Sequence, residues 1–154
     1  MTASLLERLA AAVQVIAGVL LVFVALAMVA TITGRYVGFP TAWADEAARI
    51  AFVWSACLGA ASGLHRGLHF TVRLFRLDDD GLAGRAFETA IALLVIVLCA
   101  AVLWATTASI PVVMKARLPA LGVTGAWFHS AISAFAVLSV LFMSGHLARG
   151  WRVR

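Results

Sequence analysis

The sequence predicts an all-α integral membrane protein with four transmembrane helices. Three observations carry that reading. Hydrophobic residues make up 64% of the chain, charged residues 12%, and the mean hydropathy is +1.03, far outside the range of soluble domains. Four uncharged runs follow one another: 9–34, 50–64, 89–114 and 118–148. Crossing the hydrocarbon core takes about 20 apolar residues. Three of the runs meet that length alone, and the second meets it once Trp43–Arg49 is added with its charges at the interface. The expected helices are 9–34, 43–64, 86–111 and 125–148, in one domain spanning 1–154. No alternating pattern competes, which argues against a β-barrel.

The first run is too long for the core of a signal peptide, so it is expected to remain as a helix. Ser4-Leu5-Leu6-Glu7 resembles a capping box, which lets the helix begin before the membrane. Its polar residue Gln14 is read as a hydrogen bond between helices.

Lys and Arg set the orientation. With four crossings, one side holds Arg8, Arg66, Arg73, Arg76, Arg85, Arg149, Arg152 and Arg154, and the other holds Arg35, Lys115 and Arg117. Eight against three places both termini in the cytoplasm. The net charge of +5 is thus explained by topology and gives no case for nucleic acid. Trp43 and Trp127 fall at the outer boundary and Trp151 at the inner one.

Gly38-Phe39-Pro40-Thr41 reads as a turn, with Pro40 pushing Phe39 out of helical geometry. Thr41 or Ala42 then opens the second helix. Asp45 and Glu46 fall in its first turn, where negative charge suits the helix dipole. Arg49 stands four residues after Asp45 and three after Glu46, within reach of an ion pair. Two readings stay open: the triad caps and anchors the helix end, or it also binds a neighbouring subunit. Small residues recur along the same helix at Ala47, Ala51, Ser55, Gly59, Gly63 and Gly67, a pattern that lets helix backbones approach closely. Asp45 and Arg49 project about 160–200° away from that stripe: either both faces meet protein, one a helix of this chain and the other a separate subunit, or one face meets lipid headgroups.

Between the second and third helices, Arg66, His69, Arg73 and Arg76 share one side of a helical stretch. They form a basic segment expected to lie on membrane lipids at the inner surface. Asp78, Asp79 and Asp80 lack EF-hand spacing and read as a turn and N-cap for the third helix. Pro119, Gly122 and Gly125 mark the short outer connection as a turn. Cys57 and Cys99 read as small core hydrophobes.

No phosphate loop, nucleophile elbow or zinc-spaced cluster occurs, and no carboxylate lies deep in a helix, where a coupled carrier keeps one. No catalytic, substrate-binding or metal residue is assigned, no cofactor is expected, and the chain reads as a non-enzyme. The competing reading is a haem-binding membrane anchor of a respiratory enzyme, with His65 and His146 as axial ligands. Both sit near the helix ends, where axial ligands are not usual.

Three segments carry a resemblance: Arg35-Tyr-Val-Gly-Phe-Pro-Thr-Ala-Trp-Ala-Asp-Glu-Ala-Ala-Arg, Phe52-Val-Trp-Ser-Ala-Cys-Leu-Gly-Ala-Ala and Arg66-Gly-Leu-His-Phe-Thr-Val. Together they resemble the small membrane subunit, DctQ type, of tripartite ATP-independent periplasmic (TRAP) transporters. The matching positions are Trp43, Asp45, Glu46, Trp54, Gly59, His69, Phe70 and Val72, and 119–128 is similar to the family's entry to the fourth helix. Asp45 stands where Glu is usual, and 133–136 lacks a proline common in relatives. The resemblance implies a subunit of the bacterial inner membrane. It would brace a large membrane subunit and help dock a periplasmic substrate-binding protein during sodium-coupled uptake of an organic acid. Trp43, Asp45, Glu46, Arg49, Trp54, Gly59 and Gly63 are then the candidate subunit interface. Lys115 and Arg117 are the candidate docking residues for the binding protein.

Overall fold

The computed structural model describes the backbone of residues 2–65 and 82–148, and the side chains of 5–65 and 89–145. Four helices fill it: α1 (Thr2–Val37), α2 (Ala42–His65), α3 (Leu82–Val113) and α4 (Ala126–Ala148). Each contains a stretch long and apolar enough to cross a membrane. The basic segment expected at Arg66, His69, Arg73 and Arg76 lies outside the described residues.

Packing runs in series, α1 on α2, α2 on α4, and α4 on α3. The seams explain why. Along α1 the buried positions are Ala10, Val13, Ala17, Ala27 and Thr31, with Leu20 and Val24 half-buried between them. These steps alternate three and four residues, the spacing of a heptad seam. Facing it, α2 buries Ala44, Ala48, Ala51, Ser55, Leu58 and Ser62 with the same alternation. Alanine, serine or threonine at most of these positions lets the two backbones come close, where dispersion and interhelical hydrogen bonds hold membrane helices together. The Ser55 hydroxyl donates to the Ala17 carbonyl at 2.8 Å. On α3 the buried residues Ala92, Cys99 and Thr106 are spaced by sevens and meet α4, where the Ser133 hydroxyl lies 3.3 Å from Thr106 Oγ1. Between α1, α2 and α4, Phe142 is fully buried against Ala10 and Ala61.

The stripe read at four-residue intervals is only partly the packing face. Each four-residue step advances about 400°, so the stripe drifts about 40° per step around the helix. Ala51 and Ser55 lie in the seam, whereas Ala47, Gly59 and Gly63 are half-buried at its flank. A Cβ built on Gly59 meets nothing within 4 Å. Gln14 forms no hydrogen bond to the described helices: it is exposed on α1, turned away from the seam through Val13 and Ala17.

The α1–α2 turn is closed by chain chemistry. Gly38 takes φ +81° and the Phe39 amide donates to the Gly34 carbonyl at 2.9 Å, the arrangement of a Schellman C-cap. A side chain on Gly34 would collide with the Thr41 methyl.

Candidate functional site

The end of the molecule bearing the 1–2 and 3–4 connections gathers most of the described charge. Asp45 Oδ2 and Arg49 Nη2 lie 2.6 Å apart, the i,i+4 pair that the sequence spacing predicts. The Arg49 side chain is 69% exposed and that of Asp45 32%, so solvent screening leaves the pair a small stabilising effect. Thr31 and Arg35 of α1 face Thr41, just before α2, and Asp45, Glu46 and Arg49 of α2 across a polar groove.

Glu46 does not complete a triad with Arg49. Its Oε1 accepts the Ala120 amide at 3.1 Å and its Oε2 accepts the Leu121 amide at 2.8 Å. Both amides belong to the 3–4 connection, which is an ordered hairpin. Arg117 and Thr124 form an antiparallel bridge. Leu118 N donates to Val123 O at 2.8 Å, Gly122 N to Leu118 O at 2.8 Å, and Gly125 N to Ala116 O at 2.7 Å. Gly122 sits at φ +68°, in the left-handed region that glycine occupies at no steric cost. Lys115 and Arg117 both stand exposed on this hairpin.

The two tryptophans of α2 have different settings. Trp54 is half-buried, packs against the cluster of Val13, Ala17 and Leu58, and donates its indole N–H to the Trp127 carbonyl at 3.1 Å. That bond joins α2 to the start of α4. Trp43 is 54% exposed near the charged end. One edge of α2 is left open by the chain's own helices: Phe52 and Ala56 are exposed, and Gly59 and Gly63 continue their line half-buried.

Sequence reasoning brought together Asp45 and Arg49, which are one helical turn apart. It missed the bonds from Glu46 to residues 120 and 121, separated by 74 and 75 positions. The only signal on offer was a turn-rich connection with unpaired amides and an acidic residue near the same end. His65, proposed as a haem ligand, packs its ring on Phe142 with centroids 4.9 Å apart. The side chain of His146 lies outside the described residues.

The family profile of tripartite ATP-independent periplasmic transporters, DctQ component, matches residues 24–153. That match takes in the end of α1 and the whole of α2, α3 and α4, and gives no support to a haem-binding anchor. No curated protein matches the chain. With a match extending over most of its length, the chain belongs to the DctQ component family of tripartite ATP-independent periplasmic transporters.

Proposed function

We propose that this small transporter component braces the large membrane subunit and helps dock the periplasmic binding protein during sodium-coupled uptake of an organic acid. It works in the bacterial inner membrane with both termini in the cytoplasm, an orientation that rests on the eight-to-three distribution of Lys and Arg. The hairpin end then faces the periplasm, where Lys115 and Arg117 meet the binding protein. The basic segment through Arg66, His69, Arg73 and Arg76 meets lipid headgroups on the opposite side.

The observation that carries the bracing role is the open edge of α2. Phe52 and Ala56 are exposed, and among the described residues nothing lies within 4 Å of a Cβ placed on Gly59. Gly59 and Gly63 form a small-xxx-small pair, which admits a second helix backbone at close range. A helix of the large subunit fits that edge, with Trp43 and the Asp45–Arg49 pair flanking it at the charged end.

Gly59→Leu separates internal from external packing. The added Cβ meets no described atom within 4 Å, so the variant is expected to insert and fold as the wild type does. Copurification with the large subunit is expected to fall sharply, because the leucine holds the partner backbone away. Full copurification of Gly59→Leu would place the bracing contact elsewhere.

A further inference from the structure

Both oxygens of Glu46 are occupied by the chain itself, Oε1 by Ala120 N at 3.1 Å and Oε2 by Leu121 N at 2.8 Å. Hydrogen bonds to an ionised acceptor are about twice as strong as neutral ones. These two hold the tip of a hairpin whose own bonds tie only 116–118 to 122–125. α2 packs on α1 and α4 and not appreciably on α3. At this end, then, α2 reaches the connection between α3 and α4 through Glu46, with the Trp54–Trp127 bond deeper along the helix. Lys115 and Arg117 ride on the same hairpin, exposed, and neither forms an ion pair with any described residue.

We propose that Glu46 is a positioning residue for docking: it touches neither the binding protein nor the large subunit, and fixes the hairpin so that Lys115 and Arg117 meet an acidic surface in one arrangement. The inference rests on the docking role given to those two cations above. It removes Glu46 from the direct subunit interface and gives it an effect transmitted through residues 120 and 121. A hairpin released from Glu46 keeps its charges but must be ordered at each encounter, and that ordering cost opposes binding. Gln at position 46 preserves length, yet its amide offers one acceptor oxygen and turns an NH2 group toward the other amide. Asp keeps the charge and falls short by one methylene.

The test uses the assembled membrane complex in detergent and its binding protein carrying a fluorescent label. Glu46→Gln is expected to raise the Kd about fivefold through lost preorganisation. Amide hydrogen exchange should accelerate at 120 and 121, while copurification of the large subunit stays at the wild-type level. Glu46→Asp should fall between the two, and it supplies the same readouts if Glu46→Gln fails to fold. Lys115→Gln with Arg117→Gln is the companion variant. If that pair raises the Kd and Glu46→Gln does not, positioning is overturned and docking stands. If the pair leaves the Kd unchanged, the docking reading fails and takes this inference with it. Unaltered exchange at 120 and 121, or loss of the large subunit from Glu46→Gln, also overturns it.

Discussion

The Ser55 hydroxyl donates across the α1–α2 seam to the Ala17 carbonyl, 2.8 Å away. This carbonyl also belongs to the α1 backbone ladder, so the serine joins two helices without breaking either. Ser55 is 8% exposed, with Ala51 and Leu58 beside it in the seam. Ser55→Ala is expected to cost about 0.6 kcal/mol, the average for such bonds between membrane helices. Ser55→Leu should cost more, about 1–3 kcal/mol, because the seam has no room for the added volume. Unfolding by SDS titration in mixed micelles measures both, and the order of the two variants is the critical result.

Trp54 offers a second way to separate packing from bonding. Phe at this position keeps an aromatic ring against Val13, Ala17 and Leu58 and loses the bond to Trp127 O with a smaller part of the contact. The expected loss is about 1 kcal/mol. Ala removes the ring as well, and the loss should reach about 3–5 kcal/mol. The same SDS titration distinguishes them. Equal effects from the two variants would show that the indole N–H supplies nearly all of the stabilisation.

The Asp45–Arg49 pair should matter little to the isolated subunit. It is solvated and lies one turn apart on a single helix. Asp45→Asn is expected to change stability by about 0.5 kcal/mol or less, with the difference shrinking as salt is raised. Thermal unfolding at two ionic strengths reads this directly. A larger, salt-resistant effect of the same substitution in the assembled complex would place the pair against protein.

Some of this arrangement is readable along the chain and some is not, for physical reasons. The four spans follow from the length of the uncharged runs. The Asp45–Arg49 pair follows from helical spacing, since both residues lie on one turn. The seam between α1 and α2 is harder to read. On α1 the outward residues Val15, Val19, Val22 and Leu26 are as apolar as the packed ones, so hydrophobic periodicity carries no contrast. What distinguishes the seam is size: alanine recurs at 10, 17 and 27 on α1 and at 44, 48 and 51 on α2, with Ser55 set against Ala17 and Ala61 against Ala10. A count by fours catches Ala51 and Ser55 and then slips off the face at Gly59. Gln14 drew attention because it is polar, but its position beside the seam leaves it exposed. The Glu46 clamp is invisible to local pattern altogether, because its partners are backbone amides and carry no residue signature.

Serial packing gives this molecule the form of a palisade. α3 leans on one neighbour of its own chain and α1 chiefly on α2, touching α4 around Ala10 and Phe142, and each displays a long apolar flank, from Val15 to Ile32 and from Leu93 to Val112. Helices standing side by side present two flanks and enclose no lumen between them. At 36 residues, α1 is about 54 Å long, well beyond a hydrocarbon core of about 30 Å, so it must lean or protrude. One flank can lie on the large subunit while the other faces acyl chains, and a solute has no passage through the described helices. On the bracing role proposed above, the subunit would serve as a fixed edge against which another chain can move.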